Sequence, residues 1–199
     1  MNLYATLLGI GNLKNVTEIT QKALHNNINM VIVGPETPLS CGLSDELAKY
    51  NIPTIGPTKD MALIETSKHF ARELLFNNGL GKYCPKLLHV INHLNCDYDQ
   101  LSKDLNETLK IHKVVIKPDG ICGGKGVMVQ DDHFTTKEEI INYCKQVNSK
   151  IIIEEKLVGE EFSIMSFTDG YTLKHMIPVK DYKRLLDGNL GPNTGSMGS

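Results

Sequence analysis

The sequence predicts an α/β protein in which a doubly wound α/β unit is followed by an α+β module. Three observations support this fold class. Helical and strand-like patterns alternate from the start of the chain, their order changes near residue 113, and a glycine-rich stretch lies between two strand-like runs. Of the 199 residues, 41% are hydrophobic and 22% charged, which is typical of a globular protein with one or two domains.

The first sixty residues alternate between helix and strand. Asn15 is placed to cap a helix, with Glu18 three residues later as its capping-box partner. The apolar run 30–33 ends at a Gly-Pro pair and predicts a buried strand, and 53–55 predicts a second strand that ends in the same way. Together with a helix around 43–50, this order indicates part of a doubly wound α/β unit.

Residues 58–78 carry apolar side chains at helical spacing and predict one continuous helix, which Gly79 terminates. A weak strand and a loop are expected over 87–97, and a helix over 99–109. After residue 113 the expected elements are a strand at 114–117, a strand at 126–130, a helix opened by a Thr135–Glu138 capping box and ending at 147, strands at 151–155, 161–168 and 172–179, and a long loop over 180–199.

Net charge and cysteine usage argue against several classes of protein. The formal net charge of −2 gives no basic excess for nucleic acid or an anionic membrane surface, so we expect neither partner. The five cysteines form no C-x-x-C pair, which favours reduced cysteines in a cytosolic protein over a zinc site or a disulfide framework. No apolar run approaches transmembrane length, and the N-terminal residues lack the features of a secretory signal.

The glycine-rich loop at 119–126 is the first candidate for chemistry. Its glycines let backbone N–H groups approach an anion, and Lys117 and Lys125 supply positive charge, so its composition suits a phosphate ligand. It is not a Walker A loop, because Gly126 rather than Ser or Thr follows Lys125 and a strand rather than a helix comes next. This loop alone leaves open both a lid over phosphates and a plain hairpin with a glycine-rich tip.

Two carboxylates form the second candidate. Glu154 lies near the end of an apolar strand, and Glu161 follows seven residues later, beyond a turn at Gly159. One such carboxylate can accept a hydrogen bond from an amino group such as that of adenine, and the other from ribose hydroxyls. The alternative is a solvated strand end without a ligand.

Together these features resemble the ATP-grasp superfamily: a lysine after Ser67, a lysine ending a strand, a glycine-rich lid and a Glu-x-x-Leu-x-Gly-x-Glu segment. Further segments are similar to the glycinamide ribonucleotide synthetases, a family also called phosphoribosylamine–glycine ligases. They are Val-Gly-Pro-Glu-Thr-Pro-Leu at 33–39, Ile-Glu-Thr-Ser-Lys-His-Phe at 64–70, Asp-Tyr-Lys-Arg at 181–184 and Gly-Pro-Asn-Thr-Gly-Ser-Met-Gly at 191–198. The resemblance covers the chain from about residue 30 to its end.

The resemblance implies a role for each matching residue. The ATP-binding residues are Lys68 and Lys117 on the phosphates, Gly120, Gly123, Gly124 and Gly126 in the lid, Glu154 on the adenine amino group, the Leu157 backbone on the ring edge and Glu161 on the ribose. The catalytic residues are Lys125 over the β- and γ-phosphates and, on the substrate side, Asp181, Lys183 and Arg184. The residues that contact or border phosphoribosylamine and glycine are Glu36, Pro192, Asn193, Thr194 and Gly195.

The implied activity is ATP-dependent ligation of glycine to 5-phosphoribosylamine. The reaction would pass through a glycyl phosphate and give glycinamide ribonucleotide, ADP and phosphate in de novo purine biosynthesis. The resemblance also implies a cytoplasmic enzyme that uses Mg²⁺ or Mn²⁺ besides ATP, and it leaves fusion to other purine-pathway domains open. The alternatives are another ATP-grasp carboxylate–amine ligase or carboxylase, and a truncated, non-catalytic nucleotide-binding fragment.

Compared with the family pattern, the chain is expected to be a fragment truncated at both ends. Residues 1–60 would form an incomplete N-terminal domain, and residues 61–199 an ATP-grasp domain that is incomplete at its C-terminus. The family's metal ligands are expected downstream of Ser199 and none within the chain. We therefore expect little ligase activity from these 199 residues alone, since the metal both orients the phosphates and neutralises their charge.

Overall fold

The computed structural model describes residues 7–122, 126–194 and 198–199. The chain divides into two compact units. The first contains the residues up to Lys86 together with Asp119–Ile121, and the second contains Leu87–Pro118 and the residues from Cys122 onward. In the described part of the chain, no helix is long and apolar enough to cross a membrane.

The first unit is an α/β arrangement around two short parallel strands. Its elements are α1 (Val16–His25), β1 (Val31–Ile32), α2 (Glu36–Ser40), α3 (Leu43–Ala48), β2 (Thr54–Ile55), α4 (Leu63–Thr66) and α5 (Lys68–Asn77). Its core is a cluster of buried apolar side chains from α1, α3 and the turn before β2: Ile19, Ala23, Leu43, Leu47 and Ile52. The predicted cap of α1 is confirmed, because the Asn15 side chain accepts a hydrogen bond from the Glu18 N–H.

The predicted buried strand at 30–33 is wrong in extent and in burial. Only Val31 and Ile32 form β1, Ile32 is 66% exposed, and Met30 is also exposed. A parallel strand is buried only when neighbouring strands and helices cover both of its faces. The apolar run identifies the strand but cannot tell how much of it is covered.

The continuous helix predicted at 58–78 is also wrong, because the chain leaves helical geometry at Ser67. This residue is extended, with φ −132° and ψ 111°, and its hydroxyl accepts from the Phe70 N–H at 3.1 Å to cap α5. A serine side chain can compete with the helical backbone for its own N–H groups, and apolar spacing does not reveal that competition. The predicted end at Gly79 is confirmed, since this glycine has φ +72° and Leu80 N–H bonds back to the Leu75 carbonyl.

The second unit contains a four-stranded antiparallel sheet and two separate hairpins. Its elements are β3 (Leu87–Ile91), α6 (Tyr98–Ile111), β4 (Val114–Pro118), β5 (Met128–Val129), α7 (Lys137–Gln146), β6 (Ile151–Glu155), β7 (Ser166–Thr168), β8 (Leu173–His175), β9 (Arg184–Leu186) and β10 (Leu190–Asn193). The sheet order is β3-β6-β4-β5, and β7 pairs with β8 and β9 with β10.

One face of this sheet forms the main core with α6 and α7. Its buried members include Val114, Ile116, Ile151 and Ile153 from the strands and Leu105, Ile140 and Cys144 from the helices. Strands alternate their side chains between faces, so the residues between these core positions point to the other face. Lys117 and Glu154 lie on that opposite face.

In the second unit, the predicted pairing of the strands around the glycine-rich loop is confirmed, and the predicted start of α7 is corrected by one residue. Strands β4 and β5 are antiparallel neighbours on either side of the glycine-rich loop, as predicted. The capping box of α7 is formed by Thr136 with Glu139 rather than by Thr135 with Glu138. Either threonine can cap a helix, and the Glu139 carboxylate accepts from the N–H groups of both, which fixes the start one residue later.

The C-terminal strands are shorter than predicted, and the predicted long loop at 180–199 is wrong. Strand pairing is limited to Ser166–Thr168 with Leu173–His175, apart from an isolated bridge between Ser163 and Val179. Residues 184–193 form an antiparallel hairpin. Its tight turn contains Gly188 with φ +69°, a conformation that suits glycine. From the sequence, this glycine indicated a loop but not a hairpin turn.

Candidate functional site

The centre of the candidate site is an ion pair between neighbouring strands. Glu154 of β6 lies opposite Val115 of β4, which puts Lys117 two residues along on the same face of the sheet. The Lys117 Nζ donates to the Glu154 Oε2 at 2.7 Å. The Glu154 side chain is 0% exposed and that of Lys117 is 24% exposed.

The burial of Glu154 explains why it needs a cation. An ionised carboxylate removed from water is costly unless a charge and hydrogen bonds compensate it, and Lys117 supplies both. An ammonium group has three N–H donors, and its bond to Glu154 uses one of them. Because Lys117 keeps part of its surface exposed, it has the chemistry to contact an anionic ligand while it remains paired with Glu154.

The two carboxylates singled out in the sequence have different surroundings. Glu154 is buried against Lys117, whereas Glu161 is exposed and forms an ion pair with Lys183. Leu157, between them in sequence, is exposed. A ligand amino group would reach the Glu154 carboxylate only after a covering side chain moves, whereas Glu161 is accessible to a ligand hydroxyl.

Lys68 lies at the start of α5 in the first unit, beside the first residues of the glycine-rich loop. Its Nζ donates to the Gly120 carbonyl at 2.7 Å. Next to it, the Asp119 carboxylate accepts from the Ser67 hydroxyl at 3.0 Å and from the His69 N–H at 3.2 Å. Asp119 was not among the site residues predicted from the sequence, although its place inside the glycine-rich motif was a signal that could have identified it.

The described loop glycines have backbone conformations that suit glycine. Gly120 has φ +103° and Gly126 has φ +78°. A Cβ on Gly126 would also come within 3.2 Å of Pro118 and of the Tyr143 hydroxyl. That hydroxyl donates to the Gly126 carbonyl, and burial raises the pKa of Tyr143, so the phenol stays protonated as a donor. The predicted site residues Gly123, Gly124 and Lys125 lie outside the described residues.

Apart from Glu36, the residues predicted on the substrate side lie in the β9–β10 hairpin or close to it in sequence. Arg184 donates to the Gly191 carbonyl at 2.8 Å and pairs with Asp132 at 3.1 Å, so its guanidinium holds the hairpin to the turn before α7. The Thr194 N–H bonds to the Lys183 carbonyl at 2.7 Å. Asp132 gave no sequence signal, because it stands in an ordinary turn.

The remaining predicted substrate contacts are less well defined. Asp181 is exposed, and Glu36 is half-buried at the first turn of α2. The backbone of Pro192 and Asn193 belongs to β10. Gly195 lies outside the described residues.

Metal-ligating side chains do not cluster in the described ranges 7–122, 126–194 and 198–199. No group of three or more His, Cys, Asp or Glu residues there could hold an ion.

Two family models match the chain in consecutive segments. The model of the phosphoribosylglycinamide synthetase N domain matches residues 6–65, and the model of the phosphoribosylglycinamide synthetase ATP-grasp (A) domain matches residues 66–199. Together they cover nearly the whole sequence.

Individual relatives carry names that agree with these models. A phosphoribosylamine–glycine ligase of Methanocella arvoryzae is 43% identical over 187 residues, which are 93% of this chain and 41% of that protein. A trifunctional purine biosynthetic protein of Drosophila pseudoobscura is 35% identical and matches 94% of this chain over 13% of its own length. The crystal structure of Thermotoga maritima phosphoribosylamine–glycine ligase superimposes with a TM-score of 0.62 at 29% identity, covering 88% of this chain and 42% of that one.

Proposed function

The chain belongs to the phosphoribosylglycinamide synthetase family, and on that premise we propose that it carries the ATP-binding part of a phosphoribosylamine–glycine ligase. Its fold is α/β, with an N-terminal α/β domain followed by an ATP-grasp module. The chain spans about 40% of the length of the single-function ligases it matches, so the activity of a whole ligase is part of the proposal.

The observation that carries the proposal is the Lys117–Glu154 pair on the face of the sheet opposite the main core. It places a cation that can bind phosphate, Lys117, beside a carboxylate that can accept from an amino group, Glu154, where β4 leads into the glycine-rich loop. Lys117 would contact the ATP phosphates and Glu154 the adenine amino group, after the covering side chains move. The exposed Glu161 would accept from the ribose hydroxyls, and the Leu157 backbone would face the ring edge.

The loop supplies the second part of the proposed ATP site. Lys68, held by the Gly120 carbonyl, would add a cation for the phosphates. Residues 120–126, including Gly123, Gly124 and the catalytic Lys125, would cover the β- and γ-phosphates. Cations directed at the phosphoryl oxygens lower the repulsion that an attacking carboxylate meets, which is the main way that proteins assist phosphoryl transfer.

The proposed reaction proceeds in two steps. A carboxylate oxygen of glycine attacks the γ-phosphorus, the bond from that phosphorus to the bridging oxygen of ADP breaks, and glycyl phosphate forms. The amine of 5-phosphoribosylamine then attacks the acyl carbon and loses a proton, and the carbon–oxygen bond to phosphate breaks. The products are glycinamide ribonucleotide, ADP and phosphate.

The substrate side of the site would be formed by the 181–195 segment, with Glu36 at its border. Asp181 and Lys183 would face phosphoribosylamine and glycine. Arg184 would act through the backbone, because its guanidinium already bonds the Gly191 carbonyl and Asp132. Pro192, Asn193, Thr194 and Gly195 would complete the contacts.

Cofactor use, cellular context and domain boundaries follow from the same family assignment. A divalent cation, Mg²⁺ or Mn²⁺, would accompany ATP, bridging its phosphates to one or two protein carboxylates. We propose a cytoplasmic enzyme of purine biosynthesis. The name of the trifunctional relative supports fusion to other purine-pathway domains, and the meeting point of the two family models at 65/66 supports a domain boundary near residue 60.

The test is a coupled assay for ADP, run on the natural gene product that contains these residues, with magnesium present. ADP release that requires both glycine and phosphoribosylamine is the expected result. ADP release with a different carboxylate or amine in place of either substrate would favour another ATP-grasp ligase. Nucleotide binding without ADP release under any of these conditions would contradict the proposed ligase.

A further inference from the structure

We propose that Ser67 and Asp119 are positioning residues that fasten the start of the glycine-rich loop to helix α5 and thereby raise the affinity for nucleotide. The inference rests on the proposed function in one respect, namely that the ligand of this loop is a nucleotide. Neither residue was among the binding residues predicted from the sequence. We refer to the contacts among Ser67, His69 and Asp119 as the clasp.

The Ser67 hydroxyl and both carboxylate oxygens of Asp119 are used in hydrogen bonds at the helix start. The Ser67 hydroxyl accepts from the Phe70 N–H at 3.1 Å and donates its proton to the Asp119 Oδ2 at 3.0 Å. The other carboxylate oxygen of Asp119, Oδ1, accepts from the His69 N–H at 3.2 Å. The first bond is an ordinary helix cap, and the third satisfies a second N–H group of the helix start. Because the second and third bonds are made to Asp119, they also join the helix start to the start of the loop.

This link fixes the backbone where the loop begins. Asp119 lies directly before Gly120, which has φ +103° and whose carbonyl accepts from the Lys68 Nζ at 2.7 Å. The carboxylate also sits at the start of a ten-residue helix, where the N–H groups and the helix dipole favour a negative charge. Two consecutive loop residues are thus tied to three consecutive residues of the helix start.

The clasp should matter for binding because it orders the loop before the ligand arrives. Lys68 is one of the proposed phosphate contacts, and Gly120 holds its ammonium group at a defined place. Without the clasp, the loop start and Lys68 would have to be ordered at the moment of binding, and that entropy cost lowers affinity. The proposal therefore predicts weaker nucleotide binding without the loss of any group that touches the nucleotide.

Three variants separate the clasp from the helix cap. Ser67→Asp keeps a side-chain acceptor for the Phe70 N–H but loses the proton given to Asp119 and places two carboxylates together. Asp119→Ala removes the other partner. Ser67→Thr retains a hydroxyl that can donate and accept, so it tests rescue by a conservative change. Asp97→Ala is the matched control, because it removes the side-chain cap of α6 instead.

The first measurement is amide hydrogen exchange without nucleotide, which depends on the clasp alone. Faster exchange over 68–71 and 119–122 in Ser67→Asp and Asp119→Ala, with Ser67→Thr close to the unaltered chain, is expected. The second measurement is titration with ATP. The two disruptive variants should lose affinity by about tenfold, the entropy cost of ordering about one residue of backbone on binding, while Ser67→Thr and Asp97→Ala should not.

The outcomes separate the two proposals. Unchanged ATP affinity in folded Ser67→Asp and Asp119→Ala would overturn the positioning role and leave the proposed function intact. An equal loss of affinity in Asp97→Ala would also overturn the positioning role, because the loss of any helix cap would then be enough to weaken ATP binding. Failure of the unaltered chain to bind ATP at all would overturn the proposed nucleotide site, and the positioning role with it.

Discussion

Replacing Lys117 with methionine is expected to destabilise the second unit more than replacing Glu154 with glutamine. The reason is the unequal burial of the pair, since the Glu154 side chain is 0% exposed and that of Lys117 is 24% exposed. Lys117→Met leaves a carboxylate without this cation in a place that water does not reach. Glu154→Gln leaves an ammonium group that is still partly hydrated and keeps an amide oxygen as acceptor.

The sizes of the two effects follow from this difference. Removing one partner of a buried pair costs about 3–5 kcal/mol, and the partial exposure of Lys117 puts Lys117→Met near the lower end of that range. Glu154→Gln replaces a charge-assisted hydrogen bond with a weaker one and is expected to cost about 1–2 kcal/mol. The double variant should cost less than the sum of the two, because its buried glutamine carries no charge.

Urea unfolding of the 199-residue chain, followed by circular dichroism, measures the three free energies of unfolding. Lys113→Met is the matched control, since this lysine lies just before β4 but is exposed and pairs with the exposed Asp131. Its replacement should change the free energy of unfolding by less than about 1 kcal/mol. Equal costs for Lys117→Met and Glu154→Gln, or costs that simply add in the double variant, would refute the inferred asymmetry.

Three further predictions concern Gly126, Glu139 and Cys144. Gly126→Ala should lower the free energy of unfolding by about 1–2 kcal/mol, because the left-handed backbone disfavours a Cβ that would also meet the Tyr143 hydroxyl; urea titration measures this. Hydrogen bonds from the N–H groups of Thr135 and Thr136 hold the pKa of Glu139 below its usual value. The Glu139 carboxylate therefore stabilises the folded chain above its unfolded-state pKa, and this contribution is lost as the pH falls through the folded-state pKa. The difference in free energy of unfolding between the unaltered chain and Glu139→Gln should shrink between pH 6 and pH 3. Burial raises the pKa of Cys144 to about 12, so mass spectrometry should find it alkylated only after unfolding.

The sequence predicts best those features that depend on local chemistry. The Asn15 cap, the Gly79 helix end and the strands on either side of the glycine-rich loop were all predicted and are confirmed. In each case a single residue type has a strong local preference, such as a side-chain acceptor at a cap or glycine at positive φ. No distant contact is needed to produce these features, and periodicity then supplies the rest of the element.

Features that depend on competition or on distant partners were missed. The break at Ser67 interrupts an apolar pattern that runs on through it, because the hydroxyl bonds both the Phe70 N–H and a carboxylate 52 residues away in the sequence. The hairpin at 184–193 lies within a stretch predicted as a loop, because the four glycines and the proline of residues 180–199 outweighed its short apolar runs. Its arginine bonds a carbonyl across the hairpin, which sequence spacing does not indicate.

The candidate site shows the same division. Lys117 and Glu154 were selected for their residue types and motif positions, but their mutual contact needed the register of β4 against β6. The complete burial of Glu154 was not predictable either, because a carboxylate near a strand end is more often solvated. The role of Asp119 needed the structure, since its partners lie in a helix predicted as continuous.

Titration of ATP into the 199-residue chain and its Lys117→Ala, Glu161→Ala and Lys113→Ala variants tests the proposed nucleotide site most directly. Isothermal calorimetry is run in magnesium at a temperature where each variant remains folded. Lys117→Ala and Glu161→Ala should each lose about 1.5–3 kcal/mol of binding free energy, the usual value of a charge-assisted hydrogen bond, while Lys113→Ala binds like the unaltered chain. Unchanged affinity in both Lys117→Ala and Glu161→Ala would contradict the assignment and place the nucleotide elsewhere.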